Sequence, residues 1–348
     1  MQSWQQELKE AVTSADELAA LLALDRNEVV RVAERYPLRI PKYYLGLIEA
    51  PDDPIWRQCI PATDELASPV GLCHDPLAEA GFSPVPGLIH RHPDRALLLV
   101  SASCAMNCRF CFRKNRLAAG ELDFRFNDLE MAIGYLQNQP GIREVILTGG
   151  EPLLLSDLLL DNLLNRLRRL PQLQLIRIHT RVPTVLPSRI TVSLVKLLRR
   201  YQPVYVNSHF NHPRELSAAA AQAIGRLADA GIPLGNQTVL LKGVNDQAAI
   251  LAELFRGLLR LRIRPYYLHQ LDLAAGTGHF RTPLAVGMRL MAQLQGELSG
   301  LAIPQHVVDL PGGAGKVPLQ ANRLHSSEAG LQIQAADGRF IDYPDLKN

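Results

Sequence analysis

From Arg95 onward, short β-rich apolar runs alternate with stretches at helical spacing, and this alternation constrains the fold more than any other feature. The runs are "ALLLVS", "EVILTGG", "LIRIHTR", "PVYVNSHF", "PLGNQTVLL" and "RPYYLHQ". Between them lie "DLEMAIGYLQNQ", "LLLDNLLNRLRRL", "ITVSLVKLLRRY", "AAAAQAIGRLADA" and "ILAELFRGLLRL". Strands separated by helices must run parallel, because each crossover returns the chain to the same end of the sheet. The expectation is an α/β fold, a (β/α)6 barrel or partial barrel of the TIM type, whose chemistry gathers at the C-terminal ends of the strands. A helix over "FRTPLAVGMRLMAQLQGELSG", a further strand "QHVVDL", a Gly-rich loop and a hairpin around Asp337-Gly338 should complete the chain. Residues 1–93 read as short helices and Pro-rich connections, an N-terminal helical extension.

The 348 residues are 47% hydrophobic, enough for a sizeable core. The formal charge of +3 is spread without a polybasic run, which gives no case for a nucleic-acid or anionic-membrane partner. There is neither a signal-peptide pattern at the start nor an uncharged apolar stretch of membrane-spanning length, so a cytoplasmic protein with small-molecule ligands is expected. Thiols stay reduced in that compartment. Three of the five cysteines nevertheless fall together in "SASCAMNCRFCFRKNR".

Cys104, Cys108 and Cys111 form a C-x3-C-x2-C loop just after the first barrel strand. Three soft thiolates on so short a loop suit an iron–sulfur cluster or zinc. Zinc would want a fourth ligand, and Cys59 and Cys73 stand apart as ordinary small residues. Downstream, "ILTGGEPLL" sets Gly149, Gly150 and Glu151 after the second strand, where glycines admit a ligand to the backbone and a carboxylate can hold an ammonium. Near the end, "VVDLPGGAGKVPL" suggests a phosphate loop, but Leu310 replaces its first glycine and Val317 its hydroxyl residue. Lys316 is instead placed to form a Schiff base, or else it is a surface lysine on a turn.

The loop "CAMNCRFCFRKN" resembles that of the radical S-adenosylmethionine (SAM) superfamily. Together with "HRHPDRALLLV", "TGGEPLL", "VNSHFNHP", "NQTVLLKGVND", "PYYLHQLDL", "HFRTP" and "DLPGGAGKVPL", in that order, the chain resembles the lysine 2,3-aminomutase family over roughly residues 86–320. The resemblance implies a radical SAM core over 94–300 and a PLP-anchoring segment over 301–348, with a [4Fe-4S] cluster, SAM and pyridoxal 5′-phosphate (PLP) as cofactors. It further implies that Cys104, Cys108 and Cys111 hold the cluster, Lys316 carries PLP, and Arg91 and Arg95 meet its phosphate. Gly149, Gly150 and Glu151 would face SAM, and His209 and Gln237 would line the SAM and PLP pockets. Arg113 would take the substrate carboxylate and Asp272 and Asp309 its distal amine. His92 departs from an expected tyrosine, and the absence of any cysteine after Cys111 implies no structural zinc.

The implied activity is isomerisation of L-lysine to β-lysine by radical 1,2-amino migration. The alternatives are the same chemistry serving β-lysylation of elongation factor P, or acting on another amino acid. The implied partners are L-lysine and an external electron donor of flavodoxin or ferredoxin type; the sequence leaves the oligomeric state, a homo-oligomer included, undetermined.

Overall fold

A computed structural model describes residues 3–67, 69–122, 126–320, 324–327, 330–335 and 339–342. Its main element is a nine-stranded sheet in strictly sequential order. β1 (Leu88–His92) and β2 (Arg95–Leu99) pair antiparallel across a tight turn. β3 (Glu144–Thr148), β4 (Leu175–His179), β5 (Val204–Ser208), β6 (Leu234–Leu240), β7 (Arg264–Gln270) and β8 (Gln305–Leu310) then follow β2 in parallel. β9 (Gly315–Pro318) folds back antiparallel on β8. All six quoted runs, and "QHVVDL" after them, are therefore strands.

Helices Phe126–Gln137, Asp157–Arg168, Val192–Arg200, Ala218–Asp229, Ala248–Arg260 and Leu284–Glu297 cover the outer face. Ser156, Thr191 and Ser217 each accept a backbone N–H at a helix start, the role such short oxygen-bearing side chains serve best. Helix Asp157–Arg168 buries Leu160, Leu163, Leu164 and Leu167, the leucines its period puts on one stripe. Each contributes about 1.5–3 kcal/mol by leaving water. Against them pack Val145, Leu147, Ile176 and Ile178 from the strands.

The strand period places the site. In β4, Ile176 and Ile178 face the helices and are buried, so the intervening Arg177 and His179 turn into the half-barrel's interior.

The N-terminal extension has its own core of Trp4, Val12, Leu18, Ile40, Tyr44 and Ile55, which also takes in Ala105 and Met106 of the cysteine loop. After the sheet, β10 (Leu324–Ser327), β11 (Gly330–Gln334) and β12 (Phe340–Asp342) form a small antiparallel sheet. The expected turn at Asp337-Gly338 lies outside the described residues, although β11 and β12 pair on either side of it. Among the described residues no helix is long and apolar enough to cross a membrane.

Candidate active site

The half-barrel encloses a cavity of about 960 Å³. At the upper end of the usual range for ligand pockets, it has room for more than one small ligand. Cys104, Cys108, Cys111, Gly149, Gly150, Glu151, His209, Gln237, Arg91, Arg95, Arg113, Asp272, Asp309 and Lys316 all line it, as does His92.

At one end the cysteine loop leaves β2. The N-terminal extension grips it: Arg39 donates to the Cys104 carbonyl at 2.9 Å, and Arg109 N–H donates to the Gln58 carbonyl at 3.0 Å. Glu65, fully buried, receives Arg109 Nη2 at 2.6 Å and Lys114 Nζ at 2.5 Å. A buried carboxylate between two buried cations fixes the loop on both sides of Cys111.

Burial raises the Cys104 thiol well above its ordinary range, and Cys111 and Cys108 raise it further. Cys111 is pushed up to about 11, by burial first and by Cys108 next. Thiols that resist one another's ionisation become thiolates together only around a compensating positive charge, so this donor set fits a metal cluster. Among the described residues no three His, Cys, Asp or Glu side chains gather tightly enough for a single ion, although all three thiols line the same cavity.

The Gly149-Gly150 turn packs directly on this loop. A Cβ on Gly149, whose φ is +115°, would lie 2.6 Å from the Ser101 carbonyl oxygen, and one on Gly150 would lie 2.4 Å from that of Ser103. These glycines thus serve contact between two loops, a use not foreseen beside that of admitting a ligand. Glu151 accepts from Thr180 Oγ1 at 2.7 Å, Leu153 N–H at 3.0 Å and Arg181 N–H at 2.9 Å. Burial outweighs these donors and holds its carboxyl up at about 6. His209 Nε2–H donates to Asn211 Oδ1 at 3.2 Å, and the ring meets that of Phe110 edge-on.

Arg113 already holds a carboxylate. Its Nε and Nη2 donate to Glu79 at 2.9 and 2.6 Å, leaving the Nη1 edge near Thr148 Oγ1 at 3.3 Å and the Gly149 carbonyl at 3.4 Å. Arg116 shares the same Glu79 at 2.8 Å. The turn carrying Glu79 also receives Arg91 Nη2 on the Leu77 carbonyl at 3.0 Å, with the Arg91 guanidinium over the Phe82 ring. Arg91 Nε is buried without a partner, a donor suited to an anion such as a phosphate. Arg95 pairs with Asp94 at 2.8 Å. Burial, then Arg95 and Arg91, keep His92 below the usual imidazole range.

At the other end, β8 and β9 put Asp309 opposite Lys316. Gly312, Gly313 and Gly315 take φ of +69°, +77° and +109°, so the Gly-rich "PGGAGK" is a tight hairpin turn. Lys316 Nζ donates to Asp309 Oδ2 and lies 3.2 Å from His269 Nδ1. His269 Nδ1 is 3.6 Å from Asp309 Oδ2, too far for a hydrogen bond, so Lys316 is its partner. Burial would raise Asp309, but the Lys316 ammonium bonded to it outweighs that and holds the carboxyl below its usual range.

Asp272 is the opposite case. Burial, with the charge of Asp309 added, pushes it up to about 7, and its Oδ1 has no hydrogen-bond partner. A carboxylate so placed suits an incoming cationic donor.

Gln237 joins two histidines absent from the expected set: its Nε2 donates to His179 Nδ1 at 3.0 Å, and its Oε1 faces His269 Nε2 at 3.3 Å. That arrangement leaves the Nδ1 lone pair of His269 towards Lys316. Both histidines sit in the last residues of quoted strand runs, which was the signal for them. Arg181, also missed, closes the same run as His179 and carried the same signal, whereas Glu79, in the N-terminal extension, carried none.

Two family profiles match the chain: the Radical SAM superfamily over residues 98–255 and Lysine-2,3-aminomutase over residues 291–345. The L-lysine 2,3-aminomutase of Acetoanaerobium sticklandii is 44% identical over 330 residues, covering 93% of this chain and 79% of that one. That of Clostridium subterminale is 42% identical over 328 residues with the same coverage. A glutamate 2,3-aminomutase from Clostridioides difficile is 35% identical, over 98% of this chain and 82% of its own.

Proposed function

Because this chain belongs to the lysine 2,3-aminomutase family of the radical SAM superfamily, we propose that it is an L-lysine 2,3-aminomutase, an isomerase interconverting L-α-lysine and β-lysine. The observation that carries the choice of lysine is Asp272: a buried, unpartnered carboxylate oxygen sharing the cavity with Asp309. A lysine side chain entering this cavity would have its ammonium met by two carboxylates, where an unpaired ammonium costs several kcal/mol, on the order of the usual burial penalty. Glutamate would bring a third carboxylate against those two and be repelled.

The cofactors are a [4Fe-4S] cluster, SAM and PLP. When bound, cluster and SAM supply a 5′-deoxyadenosyl radical, and PLP supplies the conjugated system across which nitrogen moves between adjacent carbons. In our reading Cys104, Cys108 and Cys111 hold the cluster, and Gly149, Gly150, Glu151 and His209 form the wall towards SAM. Lys316 anchors PLP with Arg91 and Arg95 at its phosphate, beside Gln237. Arg113 presents its Nη1 edge to the substrate carboxylate, since Glu79 holds the other edge. Fixing both charged ends of the substrate sets C2 and C3 between the two ends of the cavity, and the enclosing sheet excludes water. Residues 1–93 act as the extension that grips the cysteine loop, 94–300 as the radical SAM core and 301–348 as the PLP-anchoring segment. The electron comes from a donor of flavodoxin or ferredoxin type.

The test is anaerobic turnover of a mixed pool of lysine, glutamate and alanine with SAM, PLP and dithionite. β-Lysine should accumulate; β-glutamate in its place would overturn the reading.

A further inference from the structure

Arg181 lies just past the end of β4, with its guanidinium buried against the cysteine loop. One Nη1–H points at Cys108 Sγ across 2.7 Å. Nη2 donates to Gln58 Oε1 at 2.6 Å and to Glu215 Oε1 at 2.8 Å, and approaches the Tyr44 hydroxyl at 3.3 Å. The Phe110 ring covers one side of the guanidinium, 4.9 Å from its centre. Glu215 is fully buried and is held in turn by the Tyr44 hydroxyl at 2.6 Å and the backbone N–H groups of Asn211 and His212 at 2.6 and 3.0 Å. The side chain is therefore held by partners from three elements, with its Nη1 end turned to a thiol sulfur and its Nε buried without a partner.

A hydrogen bond from a fixed cation to a ligating sulfur draws charge off that sulfur, and such contacts are among the determinants of iron–sulfur potentials. In a buried site the effect is little screened. We propose that Arg181 raises the reduction potential of the iron–sulfur cluster held by Cys108, and that Glu215 limits that rise. The proposal rests on the reading that Cys108 is a cluster ligand. Reduction adds one electron, taken from the external donor, to a group that already carries negative charge. The guanidinium stabilises that form more than the oxidised one, and the Glu215 carboxylate offsets part of the gain. Arg181 acts through Cys108, so it is a positioning and tuning residue. Tyr44 and Gln58 belong to the N-terminal extension, which thereby acts on electron entry as well as on loop support.

The full chain, reconstituted anaerobically with iron and sulfide, would be titrated with redox dyes while the reduced cluster is followed by electron paramagnetic resonance. The expected order of midpoint potentials is Glu215→Gln above wild type, wild type above Arg181→Lys, and Arg181→Lys above Arg181→Gln. Against a donor of fixed potential, Arg181→Gln should lower the ratio of reduced to oxidised cluster by at least about tenfold, as expected for a lost charge-assisted hydrogen bond. A wild-type potential in Arg181→Gln at full iron content would overturn the proposal, and so would a fall in Glu215→Gln. If Arg181→Gln takes up no iron, Glu215→Gln decides alone: an upward shift supports the tuning role and an unchanged potential ends it. A wild-type chain that binds no iron overturns the assignment of the cysteines, and this inference with it.

Discussion

The two ends of the cavity are built on opposite plans. Around the cysteines, charged side chains are answered by other protein groups: Arg109 and Lys114 by Glu65, Arg113 and Arg116 by Glu79, Arg181 by Glu215. Around Lys316 its own pair with Asp309 is joined by Asp272, which keeps a bare oxygen, and by three neutral ring or amide groups, His179, Gln237 and His269, in a row. Closed ion pairs make a rigid frame, since breaking one strands a buried charge. Open valences make a place where a charged ligand can come and go. The cysteine end is a mounting, and the lysine end is a berth.

The sharpest way to break that division is to damage each end and look for the other. Cys108→Ala should abolish normal cluster assembly, read as iron and sulfide content, while leaving PLP trapped on Lys316 by borohydride. Lys316→Ala should do the reverse, removing the pyridoxyl label and keeping the iron. Loss of both groups from either variant would mean that the ends are one unit. Next in size are Asp272→Asn and Asp309→Asn, each removing half of an ammonium's pairing. A cost of about 2–4 kcal/mol is expected, roughly 30- to 1,000-fold in kcat/KM for lysine. Steady-state kinetics with unchanged iron content checks it.

A smaller effect follows from pH. Only ionised Asp272 attracts an ammonium, and its carboxyl sits at about 7 because of burial and Asp309. The ionised fraction therefore grows as pH rises from about 6 to about 8, and lysine should bind up to about tenfold more tightly over that interval. Calorimetric titration of wild type against Asp272→Asn, which should be flat, isolates this group. Smallest of all is Cys73→Ser: the exposed thiol lies outside both ends, and iron content should be unchanged with stability within about 0.5 kcal/mol. Iron loss there would redraw the cysteine end.

The sheet was legible because each strand is a short apolar run bounded by turn chemistry and followed by a helical period. The cysteines, Gly149 to Glu151, His209 and Asp272 share the cavity because parallel strands deliver their C-terminal ends to one place, so local motifs after strands converge without any long-range information. Arg91 and Arg95, by contrast, reach it from β1 and the start of β2, Gln237 from within β6 and Lys316 from β9. What stayed hidden depends on pairs distant along the chain. Arg181 meets Cys108 across 73 residues and Arg113 meets Glu79 across 34, and nothing local to any of the four announces its partner. The hairpin β8–β9 was hidden for a different reason. A Gly-rich loop shows nothing of its conformation in sequence, whereas positive φ at each of three glycines makes a tight turn that sets Lys316 opposite Asp309.

The contact of Gly149 and Gly150 with the Ser101 and Ser103 carbonyls also bears on descent. A side chain at position 150 would push first on Ser103 and so on the neighbouring Cys104. Neither loop can drift by small neutral steps while the other stays still, and a lineage that alters one must alter both in the same stroke or lose the fit. Two segments separated by two helices and a strand are thus inherited as a single character.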